Sequence, residues 1–413
     1  MYYKNAMRSL GICVIIAILF PLNHNLKAQT VDYSEIFWLY GQSVYGITFR
    51  KSDFTAELDS IQNPAFGIGG SAVATDPITG DLLFYTDGNV VYDRGHTLIA
   101  GYSPGLNGNT TANQPALVSA LPGQQDQYII IANSASYSAG GTISSARIDM
   151  TAQGNAPNAG TPPFGEMLSP VNTFLTNNAS EGMIVIGNAI GTQFWLITHE
   201  RNTATFFITP IIGTGLDLVG STSVNFAADG MPAMLAGNLS WSMAAGKIAV
   251  SPQDTARNVH LLDFDIATGI LSYDQHELNS ANFDPDAVAN DIYSIYDTEW
   301  SPDGTKLYIS RHGSNGTEGM VYQFDLNNPT GTLQPILPSP VFRSYGLKKG
   351  PDQNIYHLFR ANNGGPFRLG QISDTDSISS LVVYQQPYFP PDFNGRQFPE
   401  TAPYKIPEFD LVG

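Results

Sequence analysis

The chain has 413 residues, with 36 Asp and Glu against 19 Lys and Arg and a formal net charge of −17. So few basic residues argue against nucleic-acid binding and against adsorption to anionic lipid, because both draw on clustered Lys and Arg. The one cysteine, Cys13, lies in the predicted leader segment. Disulfides, thiolate metal sites and cysteine nucleophiles are therefore excluded in the rest of the chain.

Residues 1–28 predict a secretory signal peptide. Lys4 and Arg8 precede an apolar run over residues 10–22, and a cleavage site ends at Ala28. The alternative, a membrane anchor, is disfavoured because the run is shorter than the roughly 20 residues that a transmembrane helix needs. Cleavage removes three basic residues and no acidic one, which changes the formal net charge to −20. No membrane span is predicted in the remaining chain.

A turn containing Asp, Pro and Gly, followed by a short run of β-branched and aromatic residues, recurs along the chain. It is clearest at residues 76–86 and 301–310, with a degenerate copy at 350–357. The 40 Gly, 27 Pro, 22 Phe and 20 Tyr are typical of many short strands joined by tight turns. Repetition at this scale predicts an all-β chain folded as a β-propeller, in which each small sheet is buried by its neighbours.

In chain order, six units of strands and turns are predicted, over residues 71–100, 115–150, 182–212, 238–273, 297–333 and 346–373. A front segment at 36–50 and a back segment at 381–384 together predict one more blade. The sequence therefore predicts a single seven-bladed β-propeller over residues 31–404, closed by pairing of the N- and C-terminal strands. Six or eight blades are the alternatives. Residues 405–413 are predicted to be a tail or the start of a linker to a further module.

Two predicted insertions interrupt this regularity. Residues 101–113 are rich in Gly, Asn and Thr, and residues 151–180 carry four prolines and few apolar side chains. Long irregular segments in a compact domain are either functional or disordered. In a propeller such loops lie on one face and build a binding surface, so both interpretations are kept for these segments.

Several of these segments carry a resemblance to a known group. Residues 80–93, 105–108 and 114–118, with 194–200 and 299–308, resemble the N-terminal propeller of large Bacteroidota surface proteins. Those proteins are associated with gliding motility and type IX secretion. The resemblance implies a seven-bladed propeller with WD40- or YVTN-like repeats, similar to those of quinoprotein dehydrogenases and lactonases. It also implies a cell-surface location.

The chain departs from that group at its end, because the group's immunoglobulin-like modules and C-terminal sorting domain do not follow the propeller. The chain is accordingly expected to be either a stand-alone relative or the front piece of a longer protein. Its final location is then either the cell surface or the periplasm.

Candidate binding residues follow from aligning the repeats. The innermost strand of each blade lines the central channel of a propeller, and the alignment places six side chains there: Gln114, Glu181, Asn238, Asp297, Glu299 and Lys348. His199 is added because it ends a hydrophobic strand, where its side chain can reach a face of the ring. No paired set of carboxylates stands out in the sequence, so no catalytic residue is assigned.

A calcium site is the weakest of the predictions. Asp284, Asp286 and Asp291 lie close together in a predicted loop, but they lack the spacing of a standard calcium loop. A solvated acidic turn is the favoured explanation for them. No cofactor is expected, and calcium is left open.

The sequence therefore predicts an exported, monomeric, non-enzymatic binding or scaffold propeller that presents loops to a glycan or protein partner. The alternative is a propeller hydrolase or dehydrogenase, lactonase-like, with a calcium-assisted site in the central channel. Fold alone does not separate the two, because propellers host both.

Overall fold

The computed structural model describes residues 31–403, apart from 61–65, 125, 159–160, 189, 253–257, 279–294, 314–317, 329–332 and 337–340. Within that part the regular structure is almost entirely β, with one 3-10 turn at Ala227–Asp229. No helix there is long and apolar enough to cross a membrane. The predicted signal peptide and the candidate calcium ligands Asp284, Asp286 and Asp291 lie outside the described residues.

The first two sheets come from the front of the chain. One contains β1 (Phe37–Trp38), β2 (Tyr45–Phe49) and β3 (Ala56–Ser60), and the other contains β4 (Ser71–Thr75), β5 (Leu82–Thr86) and β6 (Val91–Asp93). All of these strands pair antiparallel with their neighbours in the chain. The Asp-Pro-Gly turn predicted at residues 76–86 leads into β5, where it was expected to begin a strand.

The next eight strands form a single sheet. They are β7 (Ala116–Ala120), β8 (Gln127–Asn133), β9 (Gly141–Asp149), β10 (Glu166–Gly187), β11 (Phe194–Glu200), β12 (Thr205–Ile212), β13 (Gly215–Leu216) and β14 (Thr222–Asn225). Strand β10 is 22 residues long. It pairs with β9 along its first part and with β11 along its second part, so one strand joins two groups of strands.

Three four-stranded antiparallel sheets follow, each made of strands consecutive in the chain. They contain β15 (Ala236–Ser242), β16 (Lys247–Pro252), β17 (Val259–Asp265) and β18 (Ile270–Leu278); then β19 (Asp297–Trp300), β20 (Lys306–Arg311), β21 (Met320–Asp325) and β22 (Gln334–Pro335); then β23 (Arg343–Lys349), β24 (Ile355–Arg360), β25 (Phe367–Ser373) and β26 (Val383–Gln385). The last strand, β27 (Pro399–Thr401), pairs in parallel with β4.

The described strands thus form an all-β propeller, but they do not form seven separate blades. Five sheets have three or four strands, the size of one blade, and the sixth has eight. The predicted number of seven blades therefore differs from the number of hydrogen-bonded sheets that the described strands form. The physical reason is β10, which runs from one strand group into the next without a break in pairing.

Two further expectations are corrected. The front and back segments do not pair with each other, because β1 to β3 form their own sheet and β26 pairs with β25. Strands β1 to β3 are consecutive and antiparallel, so short turns suffice to join them. The long-range pairing is made instead by β27 with β4. The segment at 151–180 is not wholly irregular either, since β10 begins at Glu166.

Apolar clusters lie between successive strand groups of the described residues. They join β4–β6 to β7–β9, β7–β9 to β10–β12, β10–β12 to β15–β18, and then each following sheet to the next. Two more clusters join β23–β25 to β1–β2, and β1 to β4–β5. Each sheet is therefore buried by its neighbours on both faces, as a propeller requires.

The C-terminal segment is held against the front of the chain by aromatic packing. Phe398 is 2% exposed, and its ring centroid lies 5.2 Å from that of Trp38 and 5.3 Å from that of Tyr40. Burial of one Phe side chain contributes a few kcal/mol to folding. This contact fixes the strand β27 that follows.

We expect Phe398→Ala to lower the free energy of unfolding by about 3–5 kcal/mol, because it leaves a cavity between the two chain ends. The matched control is Phe174→Ala, since Phe174 is 56% exposed and its loss should cost less than about 0.5 kcal/mol. Urea denaturation followed by tryptophan fluorescence measures both. Equal effects of the two substitutions would contradict the packing described here.

Candidate functional site

A polar cavity of about 470 Å³ opens where the first strands of neighbouring sheets converge. Its walls come from the end of β10, from β15, β19 and β23, and from the C-terminal segment that carries β27. The charged residues that line it are Asp32, Glu35, Asp297, Glu299, Lys348, Lys349 and Glu400. Carboxylates therefore outnumber ammonium groups in the lining.

Four of the seven predicted site residues line this cavity, namely Gln114, Asp297, Glu299 and Lys348. Glu181, Asn238 and His199 are buried and are not part of the lining. Four of the residues that the alignment of repeats selected therefore lie around one cavity. It did not separate open groups from groups that are already engaged in hydrogen bonds.

Gln114 is fully engaged. Its Oε1 accepts hydrogen bonds from the backbone N–H of Met183 at 2.9 Å and of Leu239 at 3.1 Å. Its Nε2 donates to the Leu239 carbonyl at 3.2 Å and to Glu400 Oε1 at 2.8 Å. One side chain therefore links β10, β15 and β27, and it has little capacity left for a ligand.

Asp297 is equally committed to its neighbours. Its Oδ2 accepts hydrogen bonds from the Leu347 N–H at 2.9 Å and from Gln397 Nε2 at 2.8 Å, and its Oδ1 accepts one from the Thr298 N–H at 2.8 Å. Burial raises the pKa of Asp297 to about 7, against the lowering effect of these hydrogen bonds. This carboxyl group therefore changes protonation state near neutral pH.

Glu299 repeats the same pattern two residues along β19. Its Oε2 accepts a hydrogen bond from the Lys349 N–H at 2.9 Å, and its Oε1 accepts one from the Trp300 N–H at 2.7 Å. Asp297 and Glu299 together tie β19 to β23 through backbone groups that face away from the β24 partner strand. Both carboxylates act as structural links between sheets.

Lys348 is the open cation of the cavity. Its Nζ lies 5.7 Å from the centroid of the Trp38 ring, and no described residue accepts a hydrogen bond from it. Burial lowers the pKa of Lys348, but four carboxylates outweigh this effect, so that the pKa is raised; they are Glu35, Glu400, Glu299 and Asp297. The ammonium group is therefore charged. Electrostatic attraction to these carboxylates stabilises it, rather than direct hydrogen bonds.

Besides Asp32, two further carboxylates of the cavity, Glu35 and Glu400, were missed by the sequence analysis. Glu35 accepts one hydrogen bond through Oε1, from Thr401 Oγ1 at 3.2 Å, and Glu400 accepts one through Oε1, from Gln114. Burial raises the pKa of Glu400, with Lys348 acting in the opposite direction. Both residues lie outside the repeated units, so no alignment of repeats could have found them.

The remaining predicted residues have structural partners. Glu181 Oε2 accepts a hydrogen bond from the Asn113 N–H at 2.8 Å, and Asn238 Nδ2 donates to the Tyr296 carbonyl at 3.4 Å. His199 lies in β11, where Nδ1 accepts from Ser180 Oγ at 2.9 Å and Nε2 donates to the Thr203 carbonyl at 3.0 Å. Burial lowers the pKa of His199 to about 4, so it stays neutral at pH 7.

Metal binding finds no support in this part of the chain. Among the described residues, no group of three or more His, Cys, Asp or Glu side chains is arranged to hold a metal ion. Asp297, Glu299 and Glu400 instead accept hydrogen bonds from amide side chains and backbone N–H groups. The cavity is best described as a mixed-charge polar pocket.

The raised pKa of Asp297 predicts a specific pH dependence. A folded-state pKa near 7, against an unfolded value near 3.8, means that the folded chain keeps a proton which the unfolded chain has lost. Its stabilising contribution is present at low pH and is lost as the pH rises towards 7. Asp297→Asn removes this titration.

The free energy of unfolding of Asp297→Asn minus that of wild type should therefore increase by about 1–3 kcal/mol as the pH rises from 5 to 8. Urea denaturation of both proteins across this range measures the difference, and comparison with wild type cancels the titration of the buried histidines. A difference that is independent of pH would show that Asp297 does not titrate in this window.

No protein-family model matches the sequence, and no curated protein matches it. Among solved structures, the chain is similar to a "putative 6-phosphogluconolactonase" from Bacteroides uniformis ATCC 8492, with 15% identity, 86% of this chain and 96% of that chain covered, and a TM-score of 0.48. It is also similar to a functionally unknown protein from Desulfotomaculum acetoxidans DSM 771, with 12% identity, coverage of 89% and 98%, and a TM-score of 0.43. A third is the SapL1 lectin in complex with alpha methyl fucoside, with 15% identity, coverage of 79% and 98%, and a TM-score of 0.39. At these identities the likeness concerns the fold alone.

Proposed function

We propose that this chain is an exported, non-enzymatic binding propeller whose central pocket takes a small polar group of a glycan or of a protein partner. The proposal rests on a difference between the polar side chains of the pocket: some are engaged in hydrogen bonds with the backbone and one is not. Asp297, Glu299 and Gln114 are engaged with the backbone, whereas the Lys348 ammonium group faces a cavity of about 470 Å³. That volume lies within the range of small-molecule sites.

A binding role fits these contacts better than catalysis does. A general base must be able to reach a proton on the substrate, and Asp297 and Glu299 already accept backbone hydrogen bonds. No His, Ser or Cys arranged as a nucleophile with its base lines the described part of the cavity. What is left is a set of fixed charges and donors suited to orient a polar ligand.

Seven blades are part of the proposal, and the packing inside the eight-stranded sheet supports it. Ile129 and Ile131 of β8 belong to the same buried cluster as Met183 of β10 and Leu196 of β11. The faces of one flat sheet cannot pack on each other, so this shared cluster supports two packed blades within the eight-stranded sheet. Under this proposal β10 is the outer strand of one blade and the inner strand of the next.

The proposed setting is outside the cytoplasm, on the cell surface or in the periplasm. The signal peptide predicted at residues 1–28 and the resemblance to gliding-motility-associated, type IX-secreted proteins support it. We propose that the protein acts as a monomer and without a resident cofactor. Nucleic acid is not a proposed partner, given the acidic composition.

One observation favours the enzymatic alternative. Glu400 has a raised pKa, and it shares the cavity with a second open carboxylate, Glu35. Two carboxyl groups in one pocket, one of which holds its proton more tightly, form the acid and base pair of many hydrolases. A lactonase-like hydrolase is therefore the second candidate, with or without an assisting calcium ion. No observation favours a dehydrogenase.

The test screens the purified chain on a glycan array and against surface extracts of the source cells, and measures each hit by isothermal titration calorimetry. We expect Lys348→Met to weaken binding at least about tenfold, because it removes an ammonium group that lines the cavity and keeps most of the side-chain stem. Lys51→Met is the control, since Lys51 is 48% exposed and pairs with Asp81 on the surface.

Unchanged binding by Lys348→Met would contradict the proposed site. Consumption of a chromogenic lactone or glycoside by wild type, abolished by Glu400→Gln, would instead favour the enzymatic alternative.

A further inference from the structure

A cluster of arginines lies at the other end of β23 from Lys348. Arg343 is the first residue of β23, and it is directly opposite Arg360, the last residue of β24. The Arg396 carbonyl accepts a hydrogen bond from the Gly346 N–H at 3.0 Å, which fixes Arg396 beside the same strand. Along the strand the Cα atom of Arg343 is roughly 15–20 Å from that of Lys348.

Aromatic rings form the floor beneath these arginines. The Arg360 guanidinium lies 4.1 Å from the centroid of the Phe367 ring, and Tyr345 lies 5.0 Å from the same ring. Tyr296 packs against Tyr345 with centroids 5.2 Å apart. A guanidinium group stacked on a ring keeps its N–H edges free and pre-oriented for hydrogen bonds in its own plane.

These arginines lack acidic partners in the described part of the chain. No carboxylate there forms an ion pair with Arg343, Arg360 or Arg396, and no described residue accepts a hydrogen bond from the side chains of Arg360 or Arg396. The Nε of Arg360 is buried and makes no hydrogen bond. Arg343 donates one bond, to the Phe342 carbonyl at 2.7 Å.

Acidic side chains are abundant in this protein, yet none of the described ones pairs with these three arginines. The chain has 36 acidic residues for 19 basic ones, and other arginines of the structure do pair, as Arg368 does with Asp392 at 3.0 Å. Like charges directly opposite each other on paired strands are destabilising. Arg343 and Arg360 therefore hold a local positive charge that a bound anion would relieve.

The buried phenols support a shared positive field at this place. Burial raises the pKa of Tyr345, and Arg360, Arg396 and Arg343 all act in the lowering direction. Tyr296 is 9% exposed, and its hydroxyl has no hydrogen-bond partner. Besides burial, two carboxylates raise the pKa of Tyr296, those of Glu181 and Asp297. Both accept the backbone hydrogen bonds described above. The hydroxyl is thus one more donor without an acceptor.

We propose that Arg343, Arg360 and Arg396 form a binding site for a small oxyanion, that is, the phosphate, sulfate or carboxylate group of a small molecule. The guanidinium edges donate paired hydrogen bonds to the anion, and the rings of Phe367 and Tyr345 form the floor of the site. This site is separate from the central pocket and does not depend on the function proposed for it.

The test titrates the purified full chain with inorganic phosphate, sulfate or glucuronate in a low-salt chloride buffer, by isothermal titration calorimetry. The three probes distinguish the three sources of the anionic group. We expect saturable binding of at least one probe, weakened at least tenfold by Arg360→Gln and by Arg396→Gln. Arg396 is exposed, so its variant keeps the test valid if Arg360→Gln fails to fold.

The matched control is Arg368→Gln, in the same sheet, because Arg368 is already paired with Asp392. Its affinity for the probe should equal that of wild type. The proposal is overturned if no probe binds wild type saturably, if Arg396→Gln binds as wild type does, or if Arg368→Gln loses as much affinity as Arg396→Gln.

Discussion

Backbone N–H groups of the inner strands donate hydrogen bonds to side chains of the neighbouring sheet, and these bonds hold the centre of this protein together. Asp297 and Glu299 of β19 accept the N–H groups of Leu347 and Lys349 in β23, and Gln114 does the same for β10 and β15. The first strand of a blade has no partner strand on its inner side. Its buried N–H groups need acceptors, because an unpaired one costs about 1–3 kcal/mol. The side chains supply those acceptors.

The same requirement decides which groups are available for function. Carboxylates and amides at the ring centre look like catalytic candidates in sequence, yet most of them are engaged in joining sheets. Lys348, Glu35 and Glu400 differ because they have at most one direct hydrogen-bond partner each in the described residues. At the other end of β23, Arg343, Arg360 and Arg396 have no acidic partner among the residues that the structure describes. One inner strand therefore separates a pocket rich in carboxylates from a cluster of arginines.

Sequence patterns predicted the local structure well and the long-range structure poorly. The Asp-Pro-Gly turns at residues 76–86, 301–310 and 350–357 each lead into a strand, β5, β20 and β24. The repeat alignment also found Gln114, Asp297, Glu299 and Lys348 in one cavity. These successes rest on short-range turn chemistry and on period-two alternation.

The failures all involve contacts between distant parts of the chain. Nothing local in the sequence indicates that β27 pairs with β4, or that Glu400 thereby enters the pocket beside Glu35. The glycine-rich stretch at 67–70 is a further example. An added Cβ at Gly69 would lie 2.2 Å from the Ala112 carbonyl oxygen, so glycine is required by a close backbone approach that only the structure reveals. The length of β10 likewise depends on partners on both of its sides.

Amide hydrogen exchange of the Lys349 N–H tests the central claim most directly, because this group has the Glu299 carboxylate as its acceptor. The account predicts slow exchange of the Lys349 and Leu347 amides in the wild-type protein. In Glu299→Ala, exchange at Lys349 should become much faster, while Leu347, held by Asp297, stays protected. Fast exchange at Lys349 in wild type, or exchange unaffected by Glu299→Ala, would contradict the account.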